Sequence, residues 1–260
     1  MFKVMTFNIL VGGGEQERFS KVLATIAKIQ PNLLILQECI NWENGKRLSQ
    51  VSEAMNAKFS YLGKARPRGS GNCYNVAICS TLPKEDFLDI KTHNNPAFLG
   101  HCIVELTLSN ALKVFATHFD SHNENLRFVE ARYLRSLINN FDDGYYLLAG
   151  DLNSLSSKDP YPNNFAELIK QSGTTKYNSP PRFEVIEDLE SFGWIDLLYY
   201  QQKLKEYRWV TAPRDRGGVK IDYRTDYIFA SPKLAKKLEN IEIIEALEAS
   251  DHFPVIATFI

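Results

Sequence analysis

Six short apolar runs end or begin at a polar residue of a type that does chemistry, and this spacing constrains the fold more than any other feature. Phe2–Phe7 ends at Asn8, Leu33–Gln37 at Glu38, Val114–Thr117 at His118, and Leu147–Gly150 at Asp151, with Asn153 two positions on. Two further runs start from such residues: Asp226 precedes Tyr227–Phe229, and Asp251 and His252 precede Phe253–Ile256. The runs have strand length, and a continuous apolar stretch such as Leu33–Leu36 is typical of a strand covered on both faces. If the last two strands run antiparallel to the first four, every one of these groups meets at one edge of the sheets. Open α/β sheets bind ligands at the carboxyl ends of their strands.

Helical patterns lie between the runs. Phe19, Val22, Leu23, Ile26 and Ile29 predict a helix over 16–30, with Pro31 just past its last turn. A weaker helix is predicted over 43–56, interrupted by Gly45, and a strong one over 124–139 through Leu126, Val129, Tyr133, Leu134, Leu137 and Ile138. Strands are predicted at 2–9, 33–36, 59–63, 74–80, 101–108, 112–117, 145–149, 207–211, 226–231, 241–245 and 253–259. Residues 153–182, rich in Pro, Ser, Asn and Thr, read as loops around a short helix at 165–169. The class is α/β, with two sheets and helices packed outside them.

At 260 residues with 44% apolar side chains, the chain suits one domain, 1–260, with a sizeable core. Lys and Arg number 30 against 31 Asp and Glu, so an indiscriminately basic nucleic-acid binder is disfavoured, although a local basic groove is not. No apolar run has membrane-spanning length, and the start, Met1-Phe2-Lys3-Val4, lacks the pattern of an export leader. The expectation is a cytoplasmic protein, monomeric and not inserted in a membrane. Cys39, Cys73, Cys79 and Cys102 form no CxxC pair and read as reduced thiols.

The clustered groups suit phosphate esters. A hard divalent cation takes one or two carboxylates, which Glu38 and Asp251 supply. Asp151 is the candidate to orient or deprotonate an attacking water. His118, His252 and Asn153 are candidate donors to developing negative charge, and Asp226 would orient His252 through its other nitrogen. Each residue alone has an ordinary reading: a lone Asn caps a turn, a lone His is structural, and Gly150-Asp151 is a turn. Six such groups at strand ends are harder to explain as punctuation.

The motif series Thr6-Phe7-Asn8-Ile9, Leu36-Gln37-Glu38, Thr117-His118-Phe119, Gly150-Asp151-Leu152-Asn153, Thr225-Asp226-Tyr227-Ile228 and Ser250-Asp251-His252-Phe253-Pro254-Val255 resembles, in order, that of the endonuclease/exonuclease/phosphatase superfamily. The superfamily includes DNase I-like and exonuclease III-like nucleases, neutral sphingomyelinases, inositol polyphosphate phosphatases and tyrosyl-DNA phosphodiesterases. The resemblance implies a four-layered α/β sandwich, with two central mixed β-sheets flanked by helices, and a Mg²⁺-dependent phosphoester hydrolase, Mn²⁺ being the other candidate ion. Carried over by position, Glu38 resembles the principal metal ligand, with Asn8 and Asp251 close to the metal. Asp151 resembles the water-orienting residue with Asn153 beside it, His252 the phosphate-contacting histidine with Asp226 its partner, and His118 a second phosphate donor. Residues 72–78 match the family loosely, which makes Asn75 a candidate substrate contact only, and His122 has no counterpart.

Three other readings compete. Gly12-Gly13-Gly14 between a strand and a helix suggests a nucleotide loop, but the fingerprint fails at its third glycine, where Glu17 stands. His118, Asp120 and His122 would converge on zinc if the strand continued. A non-catalytic scaffold of the same fold would be free to lose Asp151 or His252. As to substrate, Lys64, Arg66 and Arg68 form one basic loop. A second, 203–224, holds Lys203, Lys205, Arg208, Arg214, Arg216, Lys220 and Arg224 against Glu206, Asp215 and Asp222, with Tyr207, Trp209 and Tyr223 interleaved. Arginines fork onto phosphates and aromatics stack on bases, so nucleic acid is the favoured partner; the alternative is a solvated loop with Trp209 packed inward. The expected activity is that of a phosphodiesterase or nuclease, with a sphingomyelinase-like or inositol-phosphate phosphatase-like hydrolase as the other reading.

Overall fold

The computed structural model describes residues 1–67, 71–139, 141–202, 209–216 and 218–260. Arg68 of the first basic loop and Lys203 to Arg208 of the second lie outside the described residues, as does the start of the strand predicted at 207–211.

Fourteen strands are described: β1 (Phe2–Asn8), β2 (Leu33–Gln37), β3 (Phe59–Gly63), β4 (Val76–Ser80), β5 (Phe87–His93), β6 (Cys102–Leu108), β7 (Leu112–His118), β8 (Tyr145–Asp151), β9 (Ile195–Asp196), β10 (Ala212–Arg216), β11 (Val219–Tyr223), β12 (Asp226–Ala230), β13 (Leu238–Ile243) and β14 (Val255–Phe259). The helices are α1 (Gln16–Ile29), α2 (Lys46–Ala54), α3 (Glu124–Ser136), α4 (Phe165–Gln171), α5 (Glu184–Phe192), α6 (Leu197–Tyr200) and α7 (Pro232–Ala235). One six-stranded sheet has the order β13-β14-β1-β2-β4-β3, and a second has β5-β6-β7-β8-β12-β9.

Alternation along the strands builds four layers, because successive side chains point to opposite faces. Val4, Leu33 and Ile35 of the first sheet meet Val104, Val114 and Leu147 of the second in a central core. Their neighbours Met5, Phe7, Leu34 and Leu36 turn outward onto Phe19, Val22 and Ile26 of α1. On the far side Phe115 and Leu148 receive Leu134 of α3 and Val185, Ile186 and Leu189 of α5. This is the sandwich that the motif series implied. A fourth cluster joins α4 to the β10–β11 hairpin through Phe165, Ile169, Ala212 and Ile221.

The elements depart from expectation in three places. Gly45 does not interrupt a helix; it stands at φ 74° immediately before α2, which begins at Lys46. A left-handed entry of this kind suits glycine, which lacks the Cβ that penalises it. Of the strand expected at 207–211, the described residues 209–211 are not strand, and a hairpin follows, Ala212–Arg216 against Val219–Tyr223. The edge strand β5 and helix α5 were not anticipated.

Register positions the site. β1 runs parallel to β2 with Asn8 opposite Gln37, and β7 parallel to β8 with His118 opposite Asp151. β12 is antiparallel to β8 with Asp226 opposite Asp151, and β14 is antiparallel to β1. The two late strands therefore return their starting residues to the edge where the first four strands end.

Candidate active site

Asp151 is the centre of this edge and is 1% exposed. Its residue pair with Gly150 has a steric cause: a Cβ on Gly150 would run into the carbonyl oxygen of Thr117 on β7. Asp151 Oδ1 accepts the backbone N–H of Asn153 at 2.8 Å, and Oδ2 accepts Asn8 Nδ2 at 2.9 Å. His118 Nε2 lies 3.7 Å and His252 Nε2 3.8 Å from Oδ2. Burial opposes the Asp151 charge, but His252, His118, Lys176 and the Asn8 amide outweigh it and hold the carboxyl well below the usual range.

Asn8 links the two sheets. Its Nδ2 also donates to Glu38 Oε1 at 3.2 Å, while its Oδ1 accepts the Leu10 N–H at 3.0 Å. The other Glu38 oxygen, Oε2, accepts the Val11 N–H at 2.8 Å, and the Glu38 carbonyl accepts Gly12 N–H at 2.7 Å. Gly12 fits there because a Cβ would lie 2.6 Å from the Ile40 carbonyl oxygen. Leu10, Val11, Glu38 and Asn153 all have φ between 47° and 60°. Such conformations cost on the order of 1 kcal/mol or more each and persist where surroundings over-determine them. Here Arg18 gathers the carbonyls of Ile9 and Leu10, and Arg47 those of Gly12 and Gly14. The triple glycine is thus a tight turn wrapped around Glu38, not a nucleotide loop.

His252 Nδ1 and Asp226 Oδ2 are 2.8 Å apart. Burial works against the imidazolium, yet Asp226 and Asp151 raise the His252 pKa to about 9. Arg214, from the hairpin, reaches the same ring: Nη2 is 2.9 Å from His252 Nε2, and Nη1 is 2.5 Å from Asp251 Oδ2. A guanidinium only donates, so this contact holds only while Nε2 is unprotonated. When the ring carries both protons, two donors face one another and must move apart, and an acceptor such as an oxyanion would then satisfy both. His118 is 1% exposed and stacks on His101 with centroids 4.5 Å apart. Neither His118 ring nitrogen has a hydrogen-bond partner among the described residues, and burial lowers its pKa.

Two donor sets suit a cation. Glu38 is half-buried at the cleft and each of its oxygens spends one acceptor position, while Asp251 Oδ1 has no hydrogen bond among the described residues. These hard oxygens fit Mg²⁺ or Mn²⁺. Asp151, Asp226 and His252 also bring one ligand atom each within 4.8 Å of the others, but Asp226 and His252 already share a hydrogen bond.

Other candidates are placed elsewhere. Asn75 is buried, donates to Glu43 Oε1 at 2.7 Å and accepts from Ala65 N at 2.9 Å, so its amide is committed to the fold. His122 is exposed, and Asp120 Oδ1 accepts the backbone N–H groups of His122 and Asn123, so the His118–Asp120–His122 set does not converge. Asn153 spends its side-chain N–H on Phe119 O at 2.9 Å. Tyr223 is buried and half-buried Trp209 sets its ring edge-on to Tyr161 at 5.3 Å, so neither is free to stack on a base. All four cysteines are free. One cation was missed as a site residue: Arg214, which the basic stretch contained.

Solved structures share the whole architecture. A 3′ phosphatase from Neisseria bound to a product DNA hairpin superposes with a TM-score of 0.70 at 20% identity, covering 100% of this chain and 99% of that one. An AP endonuclease from Archaeoglobus fulgidus gives 0.65 at 18% identity, covering 100% and 99%. A family protein from Leptotrichia buccalis gives 0.68 at 14% identity, covering 100% and 99%. No curated protein matches the chain in sequence. The model of the Endonuclease/Exonuclease/phosphatase family matches residues 5–252, from β1 to His252, and the chain therefore belongs to that family.

Proposed function

We propose that the chain is a divalent-metal-dependent phosphoester hydrolase, a phosphodiesterase or nuclease acting in the cytoplasm as a single domain. Nucleic acid is its favoured substrate. The observation that carries this reading is the set of polar groups around the buried Asp151 carboxylate: His118, whose ring nitrogens have no hydrogen-bond partner among the described residues, and Arg214 beside His252. The likeness to a phosphatase bound to a DNA hairpin favours nucleic acid over other phosphoesters.

In this reading Glu38 and Asp251 hold Mg²⁺ or Mn²⁺, with Asn8 keeping Glu38 in place. The ion supplies polarisation of a phosphoryl oxygen and stabilisation of the leaving oxygen. Asp151, held ionised, accepts a proton from or orients the attacking water, while Asn153 N–H and Asn8 fix its two oxygens. Asp226 orients His252 so that Nε2, together with Arg214, meets a non-bridging phosphate oxygen. His118 donates to the same phosphate from the other side of Asp151.

The test is parallel hydrolysis of bis-p-nitrophenyl phosphate, p-nitrophenyl phosphate and a 3′-phosphorylated DNA oligonucleotide, with EDTA and with metal restored, using Asp151→Asn as blank. Metal-dependent diester cleavage that is lost in the variant is the expected result. Cleavage of monoesters alone moves the reading to a phosphatase, and cleavage of none moves it to a binding domain.

A further inference from the structure

The inward face of α3 carries a charged row, Glu124, Arg127 and Glu130, where a helix packed on a sheet ordinarily presents apolar side chains. Arg127 pairs with Glu124. Glu130 is 1% exposed and is spent on backbone instead: Oε1 accepts the Gly100 N–H at 2.6 Å, and Oε2 accepts the Asp120 N–H at 2.7 Å. These amides belong to two different segments, the one entering β6 and the one leaving β7. The segments touch, since a Cβ on Gly100 would stand 2.8 Å from Cβ of Asp120. A carboxylate suits this position because it offers an acceptor to each amide, whereas a Gln side chain offers one oxygen and a further donor. Burial pushes the Glu130 pKa up to about 8 and Asp120 adds to the rise, while the two amides and Arg127 oppose it.

The bridge joins the backbones of two stacked rings. His101 follows Gly100, and His118 precedes Phe119 and Asp120. The His101 and His118 rings stack with centroids 4.5 Å apart and 26° between their planes. His118 Nε2 in turn lies 3.7 Å from Asp151 Oδ2. The β7 side is fixed twice more, by the Phe119 N–H on Asp151 O at 2.9 Å and by Arg127 Nη1 on Asp120 O at 2.8 Å. Glu130 extends that anchorage to Gly100 and the start of β6. We propose that Glu130 is a positioning residue: by holding Gly100 to Asp120 it keeps the His101 ring against His118 and sets the direction in which His118 meets the substrate phosphate. The proposal rests on the reading of His118 as a phosphate donor.

The experiment is run at pH 9, where the Glu130 carboxyl is ionised. It compares wild type, Glu130→Gln, His101→Ala, His118→Ala and the double variant Glu130→Gln/His118→Ala. The readouts are kcat and KM for bis-p-nitrophenyl phosphate, and the NMR resonances of the His118 ring, assigned by their loss in His118→Ala. Glu130→Gln keeps the volume and one acceptor, and should lower kcat roughly tenfold or more, as a misplaced donor does, with KM within twofold. His101→Ala should do the same. In the double variant Glu130→Gln should cost no further factor, because a residue that acts only through His118 has nothing left to act on. The His118 ring resonances should move in Glu130→Gln and in His101→Ala toward those of an unstacked histidine. A merely structural Glu130 would lower the thermal midpoint and leave kcat per folded molecule and the His118 resonances as in wild type. That result, or losses that multiply in the double variant, would overturn the proposal. If Glu130→Gln does not fold, hydrogen exchange of the wild type tests the bridge and His101→Ala tests the stack: an unprotected Gly100 or Asp120 amide, or unmoved His118 resonances in His101→Ala, overturns it. A wild type that cleaves nothing while its His118 resonances respond to Glu130→Gln removes the hydrolase reading and supports the bridge.

Discussion

Arg224 and Asp226 are two residues apart, yet they enter buried charge clusters of opposite character. Arg224 is 1% exposed and spends its guanidinium on two carboxylates: Nη2 lies 2.8 Å from Asp159 Oδ1 and 2.6 Å from Asp196 Oδ2, and Nη1 lies 2.9 Å from Asp196 Oδ1. Its carbonyl accepts the Tyr227 hydroxyl, which also bonds Ser154 O. That cluster is closed. The cluster around Asp151 and Asp226 uses the same residue types but leaves atoms open: both His118 nitrogens, Asp226 Oδ1 and Asp251 Oδ1 have no hydrogen-bond partner among the described residues. Closed buried polar networks hold a fold together, and unspent buried polar atoms cost stability that a fold gives up only at sites with another task. The two are joined in series. By pinning the loop after β8 and the start of β12 to β9, Arg224 holds in register the strand ends that carry Asp151 and Asp226.

The sharpest break between the clusters is Asp151→Asn. Turnover should fall about 10²–10⁴-fold, the range of a lost general base, and the melting temperature should fall as well, because the fold favours the ionised carboxyl over the neutral one. A variant that keeps its activity would take Asp151 out of the chemistry. Arg224→Met should act on stability and spare the chemistry. Asp159 and Asp196 would be left as buried carboxylates without their cation, at a cost of about 3–5 kcal/mol, or a fall in melting temperature on the order of 10 °C. Residual folded protein would keep its turnover per active molecule. A melting temperature within about 2 °C of wild type would show that the closed cluster is not what holds this end of the sheets.

This contrast also explains what could be read without coordinates. Asn8, Glu38, His118, Asp151, Asp226, Asp251 and His252 were legible because strand periodicity locates the ends of strands, and the order of parallel and antiparallel pairs then forces those ends together. Arg214 was not legible as a site residue because it reaches the site by a tertiary route. Arg214 rides a hairpin whose first strand, Ala-Pro-Arg-Asp-Arg, has neither apolar alternation nor a free N–H at Pro213. Arg224 counted toward a basic surface but lies inside, because a charge tally does not register that two acids distant in sequence, Asp159 and Asp196, enclose it. The four-layer fold was clearer than its details: α5 carries Val185, Ile186 and Leu189 at helical spacing, but a loop-rich stretch precedes it and hid the pattern.

His118→Ala separates the two kinds of burial on one residue. As a phosphate donor, its loss should lower kcat about a hundredfold. As a buried ring stacked on His101, its loss opens a cavity and should lower stability at pH 7 by about 2–5 kcal/mol. Its effect on pH dependence has a definite sign. Burial lowers the folded-state pKa below the ordinary 6.5, so the unfolded chain binds the proton more readily. Wild-type stability should therefore drop as pH falls below about 6.5 toward the lowered value, and His118→Ala should lose that part of the acid slope. An unchanged slope would mean that the ring is not held neutral.

The smallest effect tests whether the open carboxylates await a cation. If Glu38 and Asp251 form the metal site, then Mg²⁺ or Mn²⁺ binds the folded chain and not the unfolded one. At ten times its dissociation constant it should add about 1.4 kcal/mol of stability, a rise in melting temperature of some 3–5 °C. EDTA should abolish the rise. Glu38→Gln should reduce it and cut turnover severely, because the neutral amide keeps the volume and the Val11 N–H contact but not the charge. Arg214 makes this measurement discriminating. It already neutralises Asp251 through Oδ2 at 2.5 Å, leaving Oδ1 open, so Arg214→Gln should strengthen metal binding if the ion and the guanidinium compete for that carboxylate, and leave it unchanged if each keeps its own oxygen. A stabilising shift that survives in Glu38→Gln and disappears in Asp226→Asn would move the ion to the Asp151–Asp226–His252 set and break the Asp226–His252 pairing on which the phosphate-donor role depends.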